Sequence, residues 1–154
     1  RYEMAPEQNL LDAYEADDER REATIDETGN TPYVRKYENL TDGSDNVYVF
    51  RFADIYLMRA EANAQRGTGT INIKSDINKV RTRAGLSGVP GNTREELLDA
   101  ILKERRLEFA FEGQRWIDLV RTGKADEILP NITGPEQFYF PVPLSEIQTN
   151  NAIN

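Results

Sequence analysis

Between residues 104 and 123 the chain reads ERRLEFAFEGQRWIDLVRTG, which packs the only tryptophan, two phenylalanines and a dense set of opposite charges around one glycine. A helix carrying so wide an apolar stripe must be covered on more than one side, and charges drawn in with it need partners. The pattern predicts a helix from Thr93 onward that Gly113 breaks, then a short helix over 115–121 that Gly123 ends. Glu104, Glu108 and Glu112 fall one helical turn apart, an unfavourable like-charge series unless cations intervene. Arg105, Arg106 and Arg115 lie beside them in sequence, so an ion-pair network is expected at the joint. Trp116, next to Ile117, Leu119 and Val120, is expected to fill the wedge between the two helices as core.

Composition narrows the chemistry. The 154 residues carry a net charge of -8, with no histidine and no cysteine. Without clustered Lys and Arg a phosphate backbone or an anionic lipid surface is a poor partner, so no nucleic acid is expected. The absence of His and Cys removes the commonest general base, the thiolate nucleophile and most zinc ligands, so no catalytic residue, metal or cofactor is assigned. No apolar run approaches the ~20 residues of a membrane-spanning helix. The chain begins at Arg1 with no signal-like segment, and reads as a processed or excised piece of something longer.

The length suits a single domain, 1–154, in three regions. Residues 1–50 are loop-rich, with a helical turn or two over 8–16, turn-forming clusters at 28–32 and 41–46, and a short YVRKY segment at 33–37 suited to small strands. Residues 51–123 form a helical core. Ile55, Met58 and Ala62 share one stripe of a helix over 51–67 that Gly67 caps, and Ala60, Ala62 and Ala64 would let another helix approach. A second helix carries Ile73, Ile77 and Val80 and stops at Gly85, which makes an αα-hairpin like a tetratricopeptide repeat. Thr93 and Glu96 have capping-box spacing ahead of Leu97, Leu98, Ile101 and Leu102. The tail, 124–154, reads as an extended strap with Phe138, Tyr139 and Phe140 as anchors. The fold class is all-α, with helix pairs, long loops and minor strands.

Four blocks then resemble, in order, the C-terminal half of SusD/RagB-type proteins: RFADIYLMRAEANAQRG at 51–67, INKVRTRAGL at 77–86, ERRLEFAFEGQRWIDLVRTG at 104–123 and FPVPLSEIQTN at 140–150. The segment LLDAYEADDERREATI at 10–25 and the YVRKY stretch are similar to that family's middle region. The resemblance implies a largely helical, non-catalytic lipoprotein of the Bacteroidetes outer membrane. It would capture oligosaccharides or other nutrients at the cell surface and deliver them to a SusC-like TonB-dependent transporter. Membrane attachment would be only through an N-terminal lipid anchor that this chain lacks.

Each candidate site has a plainer structural reading beside it. Glu104, Glu108, Glu112 and Asp118 could suggest a glycosidase, which needs two carboxyls ~5–9 Å apart across a sugar, but their interleaving with arginines favours an ion-pair network. Tyr33, Tyr37 and Tyr48 are the candidate ligand-stacking residues, because they lie in a polar, turn-rich region where aromatics have less reason to be buried; the alternative is that they pin loops to the helices. Residues 122–124 lack the Ser or Thr of a phosphate loop, and the acidic loop at 42–45 lacks EF-hand spacing. A helical-repeat module that binds proteins and no glycan is the rival to nutrient capture.

Overall fold

The computed structural model describes residues 5–37, 39, 42–150 and 152. They form α1 (Gln8–Leu11), α2 (Glu19–Thr24), a two-stranded antiparallel pair of β1 (Ile25–Asp26) and β2 (Tyr33–Val34), then α3 (Phe52–Arg66), α4 (Thr70–Arg83), α5 (Arg94–Glu108), α6 (Gln114–Arg121), α7 (Ala125–Ile128), a 3-10 turn (Pro135–Phe138) and α8 (Leu144–Thr149). The all-α class is as expected. The chain divides into two compact units, Arg1–Arg115 and Trp116–Asn154, where the sequence was read as one domain. Among the described residues no helix is long and apolar enough to cross a membrane.

In the first unit the αα-hairpin forms where the periodicity placed it. Gly67 takes φ 68°, a left-handed cap that ends α3 without the steric cost of a Cβ. Ile73, Ile77 and Val80 of α4 are buried, as are Leu97 and Ile101 of α5. The capping box is real: Glu96 N–H donates to Thr93 Oγ1 at 3.2 Å and Thr93 N–H to Glu96 Oε2 at 2.9 Å. Backbone donors from Thr93 and Asn92 hold the Glu96 carboxyl below the usual carboxylate range.

The buried stripe of α3 is not the one the sequence suggested. Ala53, Leu57, Ala60 and Ala64, at i, i+4, i+7 and i+11, pack against α4 and α5. Ile55 and Met58 face outward, in line with an exposed apolar run of Val47, Val49, Phe50 and Phe52. α3 therefore carries apolar residues on two faces, and the small alanines decide which one lets neighbouring helices come closest.

The end of α5 also differs. The helix stops at Glu108, with Phe109 as its C-cap, and does not continue to Gly113. Phe109 is buried in the α3–α4–α5 core, whereas Phe111 packs against a second cluster built from Leu11, Tyr14, Ile25 and Leu107. Sending two aromatics into two clusters requires the backbone to turn between them. Phe111 takes φ 64°, a left-handed conformation costly for a bulky side chain. Glu112 consequently lies beyond the helix, in a turn closed by its N–H on the Phe109 carbonyl at 3.0 Å.

In the second unit, α7, the 3-10 turn and α8 interrupt the extended backbone, so the tail is not the continuous strap expected. Trp116 meets Phe138 edge-on, with centroids 6.3 Å apart, and is half-buried, not a fully enclosed wedge. Tyr139 and Phe140 are exposed in place of the anchoring role assigned to them.

Candidate functional site

Glu104 and Glu108 stand one turn apart on the same face of α5, and the turn through Phe111 brings Glu112 back beside Glu108. Cations reach these acids from distant parts of the sequence. Arg20 of α2 bonds Glu104 at 2.6 Å and Glu108 at 3.3 Å, and is itself held by Asp18 at 2.7 Å. Arg81 of α4 bonds Glu104 at 3.1 Å and Glu15 at 2.9 Å. Arg83 bonds Glu108 at 2.5 Å. Arg51, just ahead of α3, reaches both Glu108 and Glu112, the latter at 2.6 Å, and Lys36 closes on Glu112.

The expected network is thus present, and Arg20, Lys36, Arg51, Arg81 and Arg83 supply cations to it from other elements. Arg106 donates to Asn9 at 2.6 Å, and the Arg105 guanidinium lies over the Phe109 ring at 5.1 Å. Neighbours in sequence on a helix diverge around its axis, so cations from other elements are better placed to reach one acidic stripe. Burial alone would make the guanidinium of Arg20 easier to deprotonate, but Asp18 and Glu104 outweigh it and push its pKa up. Burial pulls the Lys36 ammonium down, against the opposing pull of Glu112. Burial likewise pushes the Tyr14 phenol, whose hydroxyl donates to the Leu107 carbonyl at 3.3 Å, up to about 12. Both oxygens of Glu104, Glu108 and Glu112 lie within ion-pair distance of a cation, as an ion-pair network requires.

Two adjoining hollows open on this network, sharing Ala23 and Lys36. One, of about 480 Å³, is lined by polar side chains that include Glu19, Glu22, Arg35, Asn39 and Asp45. The other, of about 400 Å³, is lined by Arg20, Thr24, Lys36, Tyr48, Arg51, Arg83 and Glu108. Together they make a polar groove with one aromatic ring. Between Lys36 and Arg51 the lining residues are Asn39, Asp45 and Tyr48, and Asp45 accepts both the backbone N–H and the side-chain amide of Asn39, at 2.6 and 3.1 Å. Asp42 accepts the Ser44 N–H at 3.0 Å, so the acidic loop at 42–45 turns its carboxylates on its own chain.

The three tyrosines occupy different surroundings. Tyr48 lines the groove, is 53% exposed, and has the Arg51 guanidinium over its ring at 5.7 Å. Tyr37 is half-buried, and burial together with Glu112 raises its pKa. Tyr33 sits opposite Asp26 in the β1–β2 pair and donates its hydroxyl to that carboxylate at 2.9 Å, away from the groove lining. Lys36, Asn39, Asp45, Arg51 and Arg83 were missed as site residues. No local motif marks them; the one available signal was that an acidic stripe entering a core demands cations from elsewhere.

Comparison with known proteins agrees with the resemblance. Residues 29–139 match the model of the SusD family. A SusD-like protein, P38, from Formosa agariphila is 43% identical over 117 residues, which span 68% of this chain and 23% of that protein. The starch-binding protein SusD of Bacteroides thetaiotaomicron is 35% identical over 117 residues, 68% of this chain and 20% of that one. The structure of surface glycan-binding protein A from Bacteroides uniformis superposes with a TM-score of 0.77 at 26% identity, covering 97% of this chain and 40% of its own. The chain therefore spans less than a third of the length of the curated relatives it matches.

Proposed function

Because this chain belongs to the SusD family, we propose that it is part of a protein that captures glycans or other nutrients by non-covalent binding, without catalysis. Capture would take place at the bacterial cell surface, with the protein held to the outer membrane by a lipid anchor and its cargo passed to a SusC-like TonB-dependent transporter. The observation that carries the reading is the polar groove with the half-open Tyr48 ring at its side. A sugar presents hydroxyls to polar side chains and a CH face to an aromatic ring, and the groove offers both. Tyr48 is the stacking residue in this proposal and Tyr37 flanks it, while Tyr33 contributes by fixing the β1–β2 hairpin. The name of the starch-binding relative and that of the surface glycan-binding neighbour support the ligand class.

Calorimetric titration of the full-length protein with maltoheptaose, laminarihexaose, cellohexaose and a uronic-acid oligomer tests this. Saturable binding to at least one, with no new reducing ends and with loss on Tyr48→Ala, is expected. No binding to any of them, alongside tight binding to a protein, would favour a second reading, a protein-interaction module. That reading draws on the exposed apolar face of α3, where Phe52, Ile55 and Met58 point outward.

A further inference from the structure

Lys36 and Arg51, which flank the lining residues Asn39, Asp45 and Tyr48 in sequence, are pinned to one side chain. Lys36 Nζ bonds the Glu112 carboxylate and donates to the Ala110 carbonyl at 3.0 Å and the Glu108 carbonyl at 3.3 Å. Arg51 grips the same carboxylate with two nitrogens, Nη2 on Oε1 at 2.6 Å and Nε on Oε2 at 3.3 Å, and Nη2 also donates to the Glu108 carbonyl at 2.7 Å. Both cations therefore meet on Glu112 Oε1. The Glu112 side chain is 3% exposed and lines neither hollow.

We propose that Glu112 is a positioning residue for ligand capture: by holding Lys36 and Arg51 together its carboxylate keeps Asn39, Asp45 and Tyr48, which lie between them in sequence, in the arrangement that receives the glycan. The inference rests on the groove being the binding site. A loop with its ends joined has lost most of its freedom before ligand arrives, whereas an open one must be ordered by the ligand at the expense of affinity. With only a fraction of molecules holding the competent loop, the apparent dissociation constant rises by the reciprocal of that fraction. The left-handed Phe111 fits this role, since it turns the chain so that Glu112 returns to Glu108 and meets both cations.

The test uses the full-length protein, Glu112→Ala and Glu112→Gln, with the same four oligosaccharides and amide hydrogen exchange over 37–50. Expected for Glu112→Ala is faster exchange across 37–50 without ligand, recovery of protection at saturating sugar, and affinity at least about tenfold weaker. Glu112→Gln, which keeps the shape and one good acceptor, should recover part of both and guards against a folding defect in the alanine variant. Unchanged exchange in Glu112→Ala would overturn the proposal, and so would faster exchange with unchanged affinity. If the wild-type protein binds none of the sugars, the functional reading fails and the positioning role falls with it; that outcome is distinguishable because it appears before any substitution is made.

Discussion

α5 meets its surroundings in two different ways along its length. In its first half, Leu97 and Ile101 pack into the layer formed by Leu57, Ala60, Ile77 and Val80, where contact is apolar and every side chain is interchangeable in kind. Two turns later the same helix presents Glu104 and Glu108 to arginines from three separate segments. The apolar half draws on area removed from water, which is large and non-directional. The ionic end gains little net free energy, because desolvating each charge offsets most of the attraction, but it tolerates only one arrangement of its partners. The hollow lined by Arg20, Lys36, Arg51, Arg83 and Glu108 opens on the ionic end.

The largest effect is expected where a shared charge is removed. Glu108→Ala would take from the buried Arg20 and the partly buried Arg51 one of the carboxylates they share, and from the exposed Arg83 its pair, at a cost of about 3 kcal/mol. Thermal unfolding checks this, and a melting temperature within a degree or two of the wild type would erase the distinction between the two halves of α5. Leu57→Ala tests the other half. Leu57 has 0% exposure, and its truncation should cost about 3 kcal/mol through lost transfer energy and the cavity left behind. Denaturant unfolding should give a lower midpoint with glycan affinity retained in the surviving folded fraction. A loss of affinity at full stability would mean that the apolar layer also shapes the groove.

The apolar half was readable in advance because its signal is local. Periodicity placed Ile73, Ile77, Val80, Leu97 and Ile101 inward, and the Thr93–Glu96 spacing marked the start of α5. On α3 the same reasoning chose the wrong stripe, since both faces are apolar and only the tertiary partner decides between Leu57 with its alanines and Ile55 with Met58. The ionic end was readable only as a demand. Glu104, Glu108 and Glu112 announced that cations were required, but nothing near them could say that Arg20, Lys36, Arg51 and Arg83 would come from so far along the chain. Tyr48 was singled out for its polar context. Its contact with Arg51, three residues on, is local, whereas the ion pairs of Arg51 with Glu108 and Glu112 are not.

In the second unit, Trp116→Ala sharpens the contrast between enclosed and merely touching aromatics. A fully buried ring would cost ~3–5 kcal/mol, but Trp116 is half-buried with Phe138 against one edge, so about 1–2 kcal/mol is expected. A loss at the upper figure in chemical denaturation would show that the ring has more cover than its contact with Phe138.

The smallest effect belongs to the rim of the ionic end, where solvent reaches the pair. Glu15 bonds Arg81 at 2.9 and 3.1 Å, and that contact holds its carboxyl below its ordinary value of 4.5. A carboxylate with a depressed folded pKa contributes stability that is fully present above the unfolded value and is lost as the pH falls through the folded one. Wild type should therefore exceed Glu15→Gln by a fraction of a kcal/mol near pH 7, the usual worth of a half-exposed pair, and the gap should close as the pH falls below the ordinary value of 4.5 and through the depressed folded one. Arg81 keeps Glu104 and the Ser87 carbonyl in either variant, so the groove side of the network should persist. A gap that stays constant over that fall in pH would place the contribution of Glu15 in packing, and the rim would then resemble the apolar half of α5 more than its ionic end.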